Sequence, residues 1–273
     1  MSIEQLERRR KKFSKETRDR LINDPLLDAA LLSRSKNIFL KNLQQDQQQR
    51  EQLLAKLKAE ERSDVLDHGL RKLREIIVSI FDSNNNDVGF VRFVEEVYTT
   101  SFEFFLSNNQ FQKMGPILKF IVDNLVHIAC YAEYFEAYIV YISHIQNDLS
   151  SSLKLIKGKD ALRQYNDAML LSLIYGCSID SPHTWFKLLM EKHYNKDDSL
   201  MYRMLLKAGK IEEMQLRVIN IIKVSYNQIS MAFLKDFWLC KCLLLPKVLK
   251  ELEALYFIEQ KADGTCLIYF KKR

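Results

Sequence analysis

Five histidines, five cysteines and two close pairs of glutamates are the side chains in this sequence with chemistry to offer, and their spacing limits what they can do. An imidazole serves as a general base or a metal ligand. His68, His127, His144, His183 and His193 fall on separate elements, and none has a carboxylate or cysteine at ligand spacing on its own face. Surface histidines, or core histidines with their hydrogen bonds satisfied, are therefore expected. The cysteines stand at 130, 177, 240, 242 and 266, an odd number embedded in apolar helical runs. That pattern reads as free thiols in a reducing compartment rather than a disulfide framework. On a helix, Cys240 and Cys242 would splay their sulfurs apart, a poor chelate, so a core role is expected for them. Glu95, Glu96, Glu133 and Glu136 have the type for paired acid–base work, but on helices they read as a solvated face. The sequence has no Walker motif, no Gly-x-Ser-x-Gly, no His-Glu-x-x-His and no Cys/His ligand set. The expectation is a protein without catalytic residues, cofactor, metal or small-molecule substrate.

Aromatics are dense at Phe102, Phe104, Phe105 and Phe111, and again at Tyr131, Tyr134, Phe135, Tyr138 and Tyr141. A single-stranded nucleic-acid binder sets such rings among basic residues. Between 120 and 150 lysine and arginine are nearly missing, so helix-packing core is the better reading. The formal net charge of +6 is mild, and much of it sits in Arg8-Arg-Arg-Lys-Lys12 and Lys271-Lys-Arg273. Basic clusters attract nucleic acid or acidic proteins. The first is diluted by Glu4, Glu7, Glu16 and Asp19 and reads as a solvated terminus.

The elements that carry these residues are helices. In 273 residues, 47% hydrophobic and 28% charged, there are only 7 glycines and 4 prolines. That composition is globular, and the scarcity of turn residues favours long helices over many-stranded sheets. The first residues are charged rather than an apolar signal core. No apolar run reaches the roughly twenty residues of a membrane span; Val122 to Ile145 is interrupted by Asp123, Asn124, His127, Glu133 and Glu136. An intracellular protein of the nucleus, the cytoplasm or both is expected. Residues 1–62 read as a basic, Gln-rich arm, helical or partly disordered, with Pro25 dividing it and Leu43, Leu53, Leu54 and Leu57 forming a narrow stripe. Its patch at Leu26, Leu27, Leu31 and Leu32 serves either to dock on a partner or to pack back on its own domain.

Residues 63–209 read as a body of antiparallel helix pairs stacked in a right-handed arc. Leu66, Leu70, Leu73, Ile76, Ile77, Ile80 and Phe81 recur at helical spacing, as do Phe90, Phe93, Val94, Val97 and Tyr98. A helix from Phe111 is read as broken at Gly115-Pro116, and 149–159 is read as a loop. Ser181-Pro182 starts another helix, and Gly209 is placed to end one, with Glu212 and Glu213 in the first turn of the next. Residues 210–273 then run as helix, short break, helix, Lys247–Leu255 helix and one hairpin, Phe257–Gln260 against Cys266–Tyr269, turning at Asp263-Gly264. The fold class expected is all-α, a helical repeat with a C-terminal winged-helix module bearing one β-hairpin.

At 210–270 the chain resembles the PCI-domain family of proteasome-lid, signalosome, translation-initiation and mRNA-export scaffolds. Arg217-Val-Ile-Asn-Ile-Ile-Lys-Val-Ser-Tyr-Asn-Gln-Ile-Ser230 is similar to the passage that leads into that family's winged helix. Lys247–Leu255 looks like its third helix and Ile258–Ile268 like its hairpin, while Cys240-Lys-Cys-Leu-Leu-Leu-Pro246 departs from its usual polar link. The resemblance implies a scaffold whose partners are other protein subunits, met edge to edge through the winged helix. Leu26, Leu27, Leu31, Leu267 and Tyr269 are the candidate interface residues. The alternative is a nucleic-acid-binding winged helix that uses Lys247, Lys250, Lys261, Lys271, Lys272 and Arg273 on RNA or DNA. Glu251, Glu253 and Glu259 lie among those lysines and weaken a groove-reading helix.

Overall fold

Scarce glycine and proline leave long stretches of backbone without a reason to turn, and the computed structural model of the protein is mostly helical, with a small antiparallel sheet near its C-terminal end. It describes residues 38–84, 87–158, 165–177, 181–193 and 199–271. Leu26, Leu27, Leu31, Lys272 and Arg273 lie outside the described residues. Contacts divide the chain into two units that part between Phe104 and Phe105. Among the described residues no helix is long and apolar enough to cross a membrane.

In the first unit, α1 (Ile38–Gln45) and α2 (Gln47–Lys58) meet at Asp46, whose carboxylate accepts the Gln49 N–H at 3.1 Å and caps α2. Arg50 reaches back and donates to the Leu43 carbonyl at 2.8 Å, satisfying an acceptor that the end of α1 leaves open. Leu43, Leu53, Leu54 and Leu57 are all buried, so the leucine stripe that reads as part of an arm is core. α3 (Ser63–Asn84) buries Leu70, Leu73, Ile76 and Ile77, and α4 (Val88–Ser107) buries Phe90, Phe93, Val94 and Val97, at the spacing read from sequence. α2 and α3 approach closely at Gly69, where an added Cβ would lie 2.2 Å from Leu57 Cδ2 and 3.0 Å from its Cγ. Leu57 is itself fully buried and has little room to swing away. Gly69→Ala should therefore destabilise the fold by about 1 kcal/mol net. Overpacking of about 1–3 kcal/mol outweighs the ~1 kcal/mol that alanine gains in helix propensity. Urea denaturation checks this, and a higher midpoint for the variant would contradict it.

The second unit continues with α5 (Phe111–Asn124), α6 (Tyr131–Val140), a π-helical turn Tyr141–Ile145, α7 (Leu149–Gly158), α8 (Asn166–Gly176), α9 (Pro182–His193), α10 (Leu200–Lys207) and α11 (Lys210–Ser225). α6 packs on α5, α8 and α10, and α9 packs on α8 and α11. Gly115-Pro116 does not break α5. Gly115 makes room for the Tyr141 ring, to which a Cβ would come within 2.9 Å, and the Tyr141 hydroxyl donates to the Phe111 carbonyl at 3.0 Å. Nor is 149–158 a loop, and residue 159 lies outside the described residues. Asp148 accepts the Ser151 N–H at 3.0 Å, Ser152 donates to the Ile139 carbonyl at 3.0 Å, and Ile156 is buried. These contacts override the weak helix propensity of a serine run. Pro182 opens α9, and Gly209, at φ +71°, separates α10 from α11, as the spacing predicts.

After α11 come β1 (Gln228–Ser230), α12 (Met231–Phe233) running on into a π-helical turn Leu234–Trp238, α13 (Pro246–Leu255), β2 (Phe257–Gln260) and β3 (Cys266–Tyr269). The hairpin has the expected bounds. Gly264 supplies φ +82°, and the Asp263 carboxylate accepts the Thr265 N–H at 2.9 Å. The expectation of one hairpin is corrected by β1, which makes a three-stranded antiparallel sheet in the order β1-β3-β2. Gln228, Tyr269 and Phe257 share one row across it, and Ile229, Ile268 and Ile258 share the next. Ile229 and Ile268 are buried, so that row faces the core.

Candidate protein-interaction surface

The buried interior of the second unit holds a Ser–His contact, the pairing that nucleophilic catalysis uses. The Trp185 indole N–H donates to His144 Nε2 at 3.2 Å, so the proton of the neutral imidazole sits on Nδ1 and points at Ser143 Oγ, 2.8 Å away. Ser143 Oγ in turn lies 2.8 Å from Ser172 Oγ, which donates to the Ala168 carbonyl at 2.8 Å. An imidazole that donates to the serine cannot take its proton. His144, Ser172 and Trp185 are all 0% exposed, so no substrate reaches them. Burial, reinforced by the positive charges of Lys210 and Arg217, pushes the His144 pKa down to about 3. This is a satisfied core histidine, and the network ties α6, its π-helical turn, α8 and α9 together. Among the described residues no three His, Cys, Asp or Glu side chains converge as metal ligands.

The surface of the sheet is different. β3 is its central strand and is paired on both sides, while β1 and β2 are its edges. Leu267 and Tyr269, the candidate interface residues on the hairpin, therefore stand on a strand with no free backbone to offer. By register they share the outer face with Phe257 and Glu259, yet Tyr269 is only 8% exposed. Its ring lies 5.7 Å from that of Phe257, and its hydroxyl donates to Glu259 at 2.6 Å. The exposed apolar surface lies instead on and beside β2. Phe257 is 67% exposed and Leu255, at the end of α13, 63%. Between them Tyr256 meets Phe270 edge-on at 4.9 Å. Leu255, Phe257, Glu259, Tyr269, Phe270 and Lys271 line a pocket of about 540 Å³. Sequence reasoning missed Leu255 and Phe257. The available signal was two large apolar residues on either side of the junction between α13 and a short edge strand.

The candidate nucleic-acid lysines are spread over this end of the molecule. Lys247 on α13 is held by Glu212 of α11 at 2.5 Å, and that pairing raises its pKa. Lys250 is exposed on α13 beside the exposed Glu251, and Lys261 is exposed just after β2. Of the described ones, Lys271 joins Tyr269 at the pocket. Comparison with protein-family models, with curated proteins and with solved structures returned no match for this chain.

Proposed function

We propose that this chain is a non-enzymatic scaffold subunit of a multiprotein complex, PCI-like. It assembles through a C-terminal winged-helix module and its N-terminal arm, in an RNA-linked setting such as mRNA export or translation, in the nucleus or cytoplasm. The observation that carries the reading is that, among the described residues, no strand pairs with the outer edge of β2, while Phe257 and Leu255 are exposed beside it. An open edge presents unpaired N–H and C=O groups to an added strand, and an exposed aromatic beside it gives that strand an anchor. The order α11–β1–α12–α13–β2–β3, with β1 on the far side of β3, supports reading this end as a winged helix and, with it, the resemblance to PCI modules. The helical remainder supports a repeat body. The sealed Ser–His contact supports the absence of catalysis.

Co-purification of the tagged protein followed by mass spectrometry tests the reading, and a constant set of protein subunits is expected. Charge reversal at Lys250, Lys261 and Lys271 should leave that set intact. If it instead abolishes a measured RNA or DNA affinity and flattens its salt dependence, while no subunits co-purify, the nucleic-acid-binding alternative takes over.

A further inference from the structure

The turn after α12 brings together two residues 57 positions apart, His183 in the first turn of α9 and Cys240. The His183 ring stacks on Phe237 with centroids 4.7 Å apart. Its Nδ1 lies 2.9 Å from the Phe237 carbonyl oxygen and 3.6 Å from Cys240 Sγ, and Sγ lies 3.5 Å from the same oxygen. A sulfur, a nitrogen and an oxygen thus mark a triangle. An ion at its centre, or lifted slightly out of its plane, is about 2.0–2.3 Å from all three, the range of zinc bonds to such atoms. As the side chains stand, the imidazole N–H and the thiol S–H both donate to the one carbonyl. The cysteine sits there in a strained backbone that the surrounding packing must offset: Cys240 and Lys241 are consecutive non-glycine residues at φ +49° and +68°. All three residues line a pocket of about 470 Å³, whose wall also carries Glu191 and Asp236, with Lys187 and Lys241 as opposing charges. Lys187 is partly neutralised by Glu191, 3.9 Å away.

We propose that Cys240 Sγ, His183 Nδ1 and the Phe237 carbonyl oxygen bind a divalent cation of the zinc class, whose fourth position faces the pocket. Thiolate and imidazole together select such borderline-soft ions. Because the third donor belongs to the main chain, the site is invisible to any search for ligand side chains alone. The protons balance without redox chemistry. The thiol loses its proton to solvent as the sulfur–metal bond forms. The imidazole stays neutral, its proton moving from Nδ1 to Nε2 as the Nδ1 lone pair turns to the ion. One proton is released per cation. Because the thiol must lose its proton to bind, binding should strengthen as pH rises.

Titration of the full chain with Co²⁺ tests the site. A thiolate-to-cobalt charge-transfer band should saturate at one equivalent, with about one proton released per ion. Cys240→Ser should abolish the band, Cys177→Ser should keep it, and His183→Ala should weaken binding at least about tenfold, since even outer-shell changes reach that size. A band that is absent, or that survives Cys240→Ser, overturns the proposal. A second measurement needs no variant: Zn²⁺ should slow alkylation of Cys240, read by mass spectrometry, relative to Cys177. Equal rates with and without Zn²⁺ would also overturn it.

Discussion

Taking the protein from pH 7 to pH 5 should cost the folded state about 2 kcal/mol through His144 alone, the slope approaching about 1.4 kcal/mol per pH unit once the unfolded imidazole is protonated. The sign follows from where the proton goes. In the unfolded chain the imidazole titrates near its ordinary value of about 6.5. In the fold, burial holds it down to about 3. Between those values the unfolded state takes up a proton that the folded state refuses. The His144 contribution is therefore complete above pH 6.5, falls steadily as pH drops, and flattens once the folded imidazole titrates. His144→Gln is the informative comparison: an amide can accept from Trp185 and donate to Ser143 without ionising. Urea midpoints measured from pH 7 to pH 5 should fall in the wild type and stay nearly level in the variant. Equal slopes would mean that acid reaches the fold through other groups.

Phe257→Asp should lower affinity for a subunit docked on β2 at least about 30-fold, the loss of roughly 2 kcal/mol that marks an interface anchor. The thermal melt of the isolated chain should barely move, because Phe257 is largely exposed. Aspartate at Tyr269, by contrast, should lower the melt, since that ring is nearly buried in the outer face. The pair of variants separates a damaged interface from a damaged sheet. Undiminished co-purification by Phe257→Asp, and by the double variant with Leu255→Asp, would remove β2 from the assembly mechanism.

Sequence periodicity alone predicts much of the helical pattern. The spacing of Leu70, Leu73, Ile76 and Ile77 fixes a buried face, and Pro182, Gly209 and Asp263-Gly264 mark boundaries through backbone chemistry that needs no partner. What periodicity cannot carry is tertiary contact. α7 is helical because Ser152 and Ile156 find partners, α5 is continuous because a tyrosine ring occupies the space beside Gly115, and β1 is a strand only because β3 lies beside it. Three residues of Gln-Ile-Ser have no strand signature of their own. The same limit applies to function. Which hairpin strand forms an edge depends on β1, so sequence pointed to Leu267 and Tyr269 where the open edge belongs to β2. His183 and Cys240 meet only through the packing of α9 against the turn after α12.

The strand order also sets a sequence of events during synthesis. β3 is the last of the three strands to be made, yet it lies between the other two. Until Cys266–Tyr269 has emerged, Gln228–Ser230 and Phe257–Gln260 have no place to pair, since in the finished sheet they never touch each other. At about 5–20 residues per second, the chain waits several seconds between making β1 and closing the sheet. During that interval two short strands and the Phe257 ring are open to whatever is near. A chaperone, or a partner subunit arriving before release, would meet this end of the molecule as two loose ribbons, and the late central strand would then clasp them.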